Sequence, residues 1–127
     1  MAYPAEYRYT KDHEWLRIEG TRARIGITHH AQEELGDIVF VELPTVGTAF
    51  AVGENLATVE SVKAVGEVHA PFAGTVTEVN SELESTPEAV NQSAHEAGWL
   101  AVVESADPID ESAFFDAAGY EAFLAEG

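Results

Sequence analysis

The chain has 127 residues, sets 23 acidic side chains against 6 basic ones for a net charge of −17, and contains no cysteine. That balance argues against nucleic acid and anionic membrane surfaces as partners, because neutralising phosphates takes clustered Lys or Arg. Without thiols there can be no disulfide, no thiol catalysis and no thiolate zinc site. A hydrophobic fraction of 46% is enough to support one globular domain over residues 1–127, and no apolar run is long enough to span a bilayer. With no basic and hydrophobic leader over residues 1–10, the expected location is the cytoplasm.

Residues 15–19 and 22–27 alternate polar and apolar positions around Gly20, as two half-buried antiparallel strands do. Thr28 is placed to cap a short helix over 29–35, with early acids favourable to its dipole and Gly36 ending it. Residues 37–43, β-branched and aromatic and stopped by Pro44, read as a buried strand. Gly47 and Gly53 mark turns. Strands are expected over 55–60, 65–70 and 75–79, meandering through a turn at 71–74. A cap at Thr86, with Pro87 in the first turn, predicts a brief helix to Val90. Strand character returns over 99–104. The tail from Asp110 to Glu126 sets Phe114, Phe115, Ala118, Phe123 and Leu124 among acids, which predicts a helical segment interrupted at Gly119 and packed on the sheet. Residues 47–60 and 65–80 both read as turn-flanked strand pairs, so two quasi-symmetric sheets joined at a hairpin are expected around residue 63.

Only two lysines occur, and one of them, Lys63, stands between two predicted strands in a strongly acidic chain. Val62 disfavours positive φ, so the turn is expected to be type I rather than a primed hairpin type, with Lys63 exposed at its tip. An exposed lysine stays protonated near neutrality and makes a poor catalyst. It is better suited to acylation, which removes the charge and hangs a long arm from a rigid base. The ordinary alternative is a solubilising turn lysine.

The motifs around Lys63 decide between those readings. The segments YTKDHEW (9–15), GITHHAQ (26–32), LGDIVFVELP (35–44), VESVKA (59–64), APFAG (70–74) and GW (98–99) resemble the glycine cleavage system H protein family in order and spacing. The resemblance implies a mainly β fold, a barrel-sandwich hybrid of two small antiparallel sheets with short peripheral and C-terminal helices. It implies a non-catalytic carrier with lipoate attached covalently to Lys63. The implied partners are glycine decarboxylase, which loads an aminomethyl group, an aminomethyltransferase that passes its carbon to tetrahydrofolate, dihydrolipoyl dehydrogenase, which reoxidises the arm, and a lipoylating enzyme. A monomer is the simplest expectation.

A loaded arm bears a cationic amine that carboxylates in a sheltered groove would stabilise. Glu14 is the first candidate, and by resemblance Asp12 and Glu67 join it. Glu60 is a candidate for recognition by the lipoylating enzyme. Glu34 stands where some relatives have histidine, and Ala94 with His95 replaces a common Pro-Tyr pair. Adjacent His29 and His30 point about 100° apart on a helix, so no metal site is expected. Trp15 is expected in the core, with His13 a structural hydrogen bonder. Methionines flank the lysine of biotin domains and are missing here. An H-like lipoyl donor to other complexes and an unmodified β-rich interaction module remain as alternatives.

Overall fold

The computed structural model describes residues 3–126, so the outermost residues of the expected domain lie outside them. Period-two alternation over 14–27 produces β2 (Glu14–Glu19) and β3 (Arg22–Ile27), paired antiparallel about Gly20 at φ 67°. They belong to a six-stranded sheet ordered β1 (Arg8–Tyr9), β2, β3, β9 (Ala101–Glu104), β8 (Gly74–Val79) and β5 (Ala49–Phe50). The second sheet has three strands, β4 (Ile38–Glu42), β6 (Asn55–Ser61) and β7 (Val65–His69). Every pairing is antiparallel. Ile38, Val41, Val59, Val68 and Leu100 share one apolar cluster, while Leu16, Ile25, Leu56, Val76 and Val103 share another. This is the mainly β, two-sheet architecture with short helices that the resemblance implied.

The pairings nest around residue 63. β6 and β7 pair on either side of it, and the strands outside them, β5 and β8, pair with each other. The expected meander is corrected: after β7 the chain leaves the small sheet, and β8 joins β5 and β9 in the large one. Phe72 enters the second apolar cluster at the crossing, and a Cβ on Gly74 would lie 2.5 Å from the Glu104 carbonyl oxygen, so only glycine allows this approach.

Other expectations change as well. β4 is buried on one face only: Val39 and Phe40 are about half exposed, because a register shift between Ile38 and Phe40 turns consecutive residues outward. α1 (His29–Leu35) is capped by Thr28 and ends at Gly36, φ 84°, but its first turn holds no acid. Glu33 and Glu34 stand late in it, opposing the dipole, and pair with His29 and His30 at 3.4 and 3.2 Å. α2 (Ala89–Gln92) lacks a side-chain cap, since the Thr86 carbonyl accepts the Ala89 N–H in a turn that precedes the helix.

The tail breaks before Gly119, not at it. Phe115 exchanges both backbone hydrogen bonds with Tyr9 at 2.9 Å, and Asp116 then caps α3 (Ala117–Ala125) by accepting the Gly119 N–H at 2.7 Å. Tyr120, stacked on Tyr9, is the fully buried anchor, whereas Ala118 is exposed.

Trp15 is fully buried, and its indole N–H donates to the Ala94 carbonyl at 2.8 Å. The neighbouring His95 does more than shape a loop. Its Nε2 accepts the backbone N–H of His29 at 3.1 Å, satisfying a first-turn donor of α1, and its ring lies among Tyr3, Tyr7, Tyr9 and Trp15. Burial, helped by His29, pushes this imidazole down to about 4. Its contribution to stability is therefore complete above the ordinary histidine range near pH 6.5 and is lost as the pH falls toward 4. Urea unfolding across that window should show about 3 kcal/mol of acid-induced loss attributable to this residue, absent from His95→Gln. Equal acid loss in both proteins would refute this.

Candidate carrier site

The turn between β6 and β7 is built by Ser61. Its N–H donates to the Ala64 carbonyl at 2.8 Å, and its hydroxyl accepts the N–H groups of Lys63 and Ala64 at 3.2 and 3.0 Å. The hydroxyl thus takes the place that a backbone carbonyl holds in a common turn. No residue of the turn has positive φ, in keeping with the branched Val62. Val62 and Lys63 stand exposed, and the Lys63 stem passes over Gly36, where a Cβ would come within 3.4 Å of its Cε.

The turn is anchored from outside as well. Val62 donates its N–H to the Asp37 carbonyl at 3.1 Å. The residues flanking Asp37 are held by Asn91 of α2, whose Nδ2 donates to the Gly36 carbonyl at 2.8 Å and whose Oδ1 accepts the Ile38 N–H at 2.8 Å. The same Nδ2 reaches Gln32 Oε1 at 2.9 Å, so one side chain ties α1, β4 and α2 together.

A cavity of about 520 Å³ opens beyond the far end of β7, lined by Tyr9, Lys11, Asp12, Glu14, His69 and Phe114 among others. Glu14, only 2% exposed, accepts the Thr10 hydroxyl at 3.0 Å and the His69 N–H at 2.9 Å. Burial raises its carboxyl above the usual range, partly opposed by those two hydrogen bonds. Asp12 is exposed, and ligand atoms of Asp12, Glu14 and His69 lie within 4.8 Å of one another, a convergence suited to a cation.

Asp12 and Glu14 are thus brought together. Glu67 stands on β7 with an oxygen 3.9 Å from His69 Nε2, and Glu60, half-buried on β6, faces Phe40 and Val65 across the sheet. Lys63 does not line the cavity. The span from Val65 to His69 separates turn and cavity by about 13 Å at the ordinary rise of a strand. Glu34 is exposed beside His30, and His13 bonds the Tyr120 hydroxyl at 2.7 Å.

A family model described as Glycine cleavage H-protein matches residues 7–127. The chain belongs to this family. A glycine cleavage system H protein of Acidobacterium capsulatum is 51% identical over 99% of this chain and 97% of its own length, and one of Bacillus subtilis is 50% identical over 99% of each. The crystal structure of a glycine cleavage system H protein from Mycobacterium marinum superposes with a TM-score of 0.88 at 36% identity, covering 97% of this chain and 99% of that one. A member of the glycine cleavage H-protein family is a carrier component of the system, not a catalytic enzyme.

Ser61, Asn91 and His69 escaped the sequence reading. A serine opening a tight turn is a legible signal for the first. Asn91 and His69 meet partners more than 50 residues away, and no local pattern reveals them. Asn91→Ala should cost about 2–3 kcal/mol in urea unfolding and speed hydrogen exchange at the Ile38 and Val62 amides, against about 1 kcal/mol for Ser61→Ala. Unchanged exchange at Val62 in Asn91→Ala would contradict the anchoring role.

Proposed function

We propose that this H-protein family member carries lipoate as an amide on Lys63 and shuttles an aminomethyl group from glycine decarboxylase to the aminomethyltransferase, with dihydrolipoyl dehydrogenase restoring the arm. The observation that carries this reading is the placement of Lys63. Its amine is exposed on an anchored turn and, among the described residues, forms no ion pair despite the chain's 23 carboxylates. An amine left free in this way can be acylated, and a base held by Val62 and Ser61 gives the arm a defined origin.

Lipoate, once attached, supplies a disulfide that accepts both electrons and a carbon fragment, which no ordinary side chain does. The chain's own residues present, shelter and release. Glu60, next to the turn on β6, is read by the lipoylating enzyme. Asp12, Glu14 and Glu67 receive the cationic amine of the loaded arm. An arriving ammonium favours the charged form of the Glu14 carboxyl, which burial disfavours, and the cavity walls shelter the cargo. Residues 1–127 act as one lipoyl-carrier domain, a monomer working in the cytoplasm.

Lys63→Arg should keep the melting temperature yet abolish lipoylation and reduce aminomethyl transfer to background in a purified assay that depends on this chain. Persistent transfer by that variant would overturn the proposal. Glu14→Gln should still be lipoylated but lose its cargo to water several-fold faster; an unchanged rate would remove Glu14 from the docking site.

A further inference from the structure

We propose that His69 decides whether the carboxylates of Asp12, Glu14 and Glu67 are free for the arm's ammonium: neutral, it leaves them to the cargo, and protonated, it takes them itself. This rests on the docking role given to those carboxylates above. Alternation along β7 puts Val65, Glu67 and His69 on one face of the strand, a line that runs from the Lys63 turn to the cavity. At its end the His69 N–H is fastened to Glu14 Oε2 at 2.9 Å, which fixes where the ring begins.

The ring is then central to the charges around it. A ring nitrogen lies within 4.8 Å of carboxylate oxygens of both Asp12 and Glu14, and Nε2 is 3.9 Å from Glu67 Oε1. Every carboxylate offered to the cargo is thus within Coulombic reach of one imidazole. The charged groups facing His69 are Asp12 and Glu14 from the segment before and within β2, Glu67 beside it on β7, and Lys11 on the cavity wall. Two cations cannot share this set without repelling each other.

Imidazole is the ordinary side chain that changes charge between about pH 5 and 8. Competition is reciprocal: a proton on His69 weakens ammonium binding by the same factor by which bound ammonium weakens the proton. His69 acts here as a positioning residue. It touches the carboxylates that hold the cargo and sets their availability, so retention is tight in a neutral medium and loosens on mild acidification.

The test uses the full, unlipoylated chain with methylammonium chloride as the probe, followed through the Glu14 and His69 backbone amide resonances and the His69 ring signals. Affinity for wild type should fall several-fold between about pH 8 and about pH 5.5. In His69→Gln it should fall much less, that residual reporting titration of the carboxylates alone. Saturating methylammonium should also lower the titration midpoint of the His69 ring. The same pH dependence in wild type and His69→Gln, or a ring midpoint unmoved by the probe, would overturn the inference while leaving the docking site in place. No binding at about pH 8, or binding indifferent to Glu14→Gln, would overturn the docking site and the inference together. Unchanged melting temperatures for both variants confirm that the fold is being compared with itself.

Discussion

The hydrogen bond from the Val62 N–H to the Asp37 carbonyl, 3.1 Å long, joins the working turn to the body of the molecule. A two-residue hairpin tip has little of its own to hold it, and here the only internal closure is Ser61 against Lys63 and Ala64. Below it the base of Lys63 is held by the β6–β7 pairing at Glu60 and Val65 and by the β4–β6 pairing at Ile38 and Ser61, and the tip itself is tied to the body through Asp37. The position of Asp37 depends in turn on Asn91, which holds the residues on either side of it. Gly36 matters in this arrangement through its positive φ, which ends α1 beside the Lys63 stem.

A carrier needs a firm base, a free attachment point and a shelter at arm's length. These demands are met by different parts of the fold. The small sheet presents the amine. The cavity beyond β7 is closed by the other sheet and by the tail, whose Phe114 and Phe115 help line it. The C-terminal segment is therefore more than ballast: Phe115 pairs with Tyr9, and Tyr120 buries itself against β1, holding the wall that Asp12 and Glu14 project from. The acid excess places carboxylates where a cationic cargo would rest, while among the described residues Lys63 stands outside every ion pair.

Sequence reading worked where the information is local. The hairpin over 14–27 follows from alternation about Gly20, and both ends of α1 follow from Thr28 and Gly36, because period, cap and positive φ are all written within a few residues. It failed where distant chain decides. β8 looks like the next strand of a meander until its pairing with β9 is seen, β4 looks buried until its register shift is known, and the tail breaks at Phe115 because Tyr9, over 100 residues earlier, pairs with it there. The candidate site divides in the same way. Lys63 is conspicuous as a scarce lysine between strands, whereas Asp12, like Glu67, is reached only through the family resemblance. His69 joins them only because β7 ends beside β2, a fact of topology that no spacing records.

The proposed role of the chain stands or falls with Lys63 as an attachment point on a turn that a lipoylating enzyme reads. Intact mass with peptide mapping, after incubation of the folded chain with lipoate, ATP and a lipoate ligase, tests it most directly. The expected product is a single lipoyl amide, located at Lys63, with Lys11 untouched. A folded chain that stays unmodified, or is modified at Lys11 as readily, would contradict it and return Lys63 to the standing of an ordinary solvent-facing lysine.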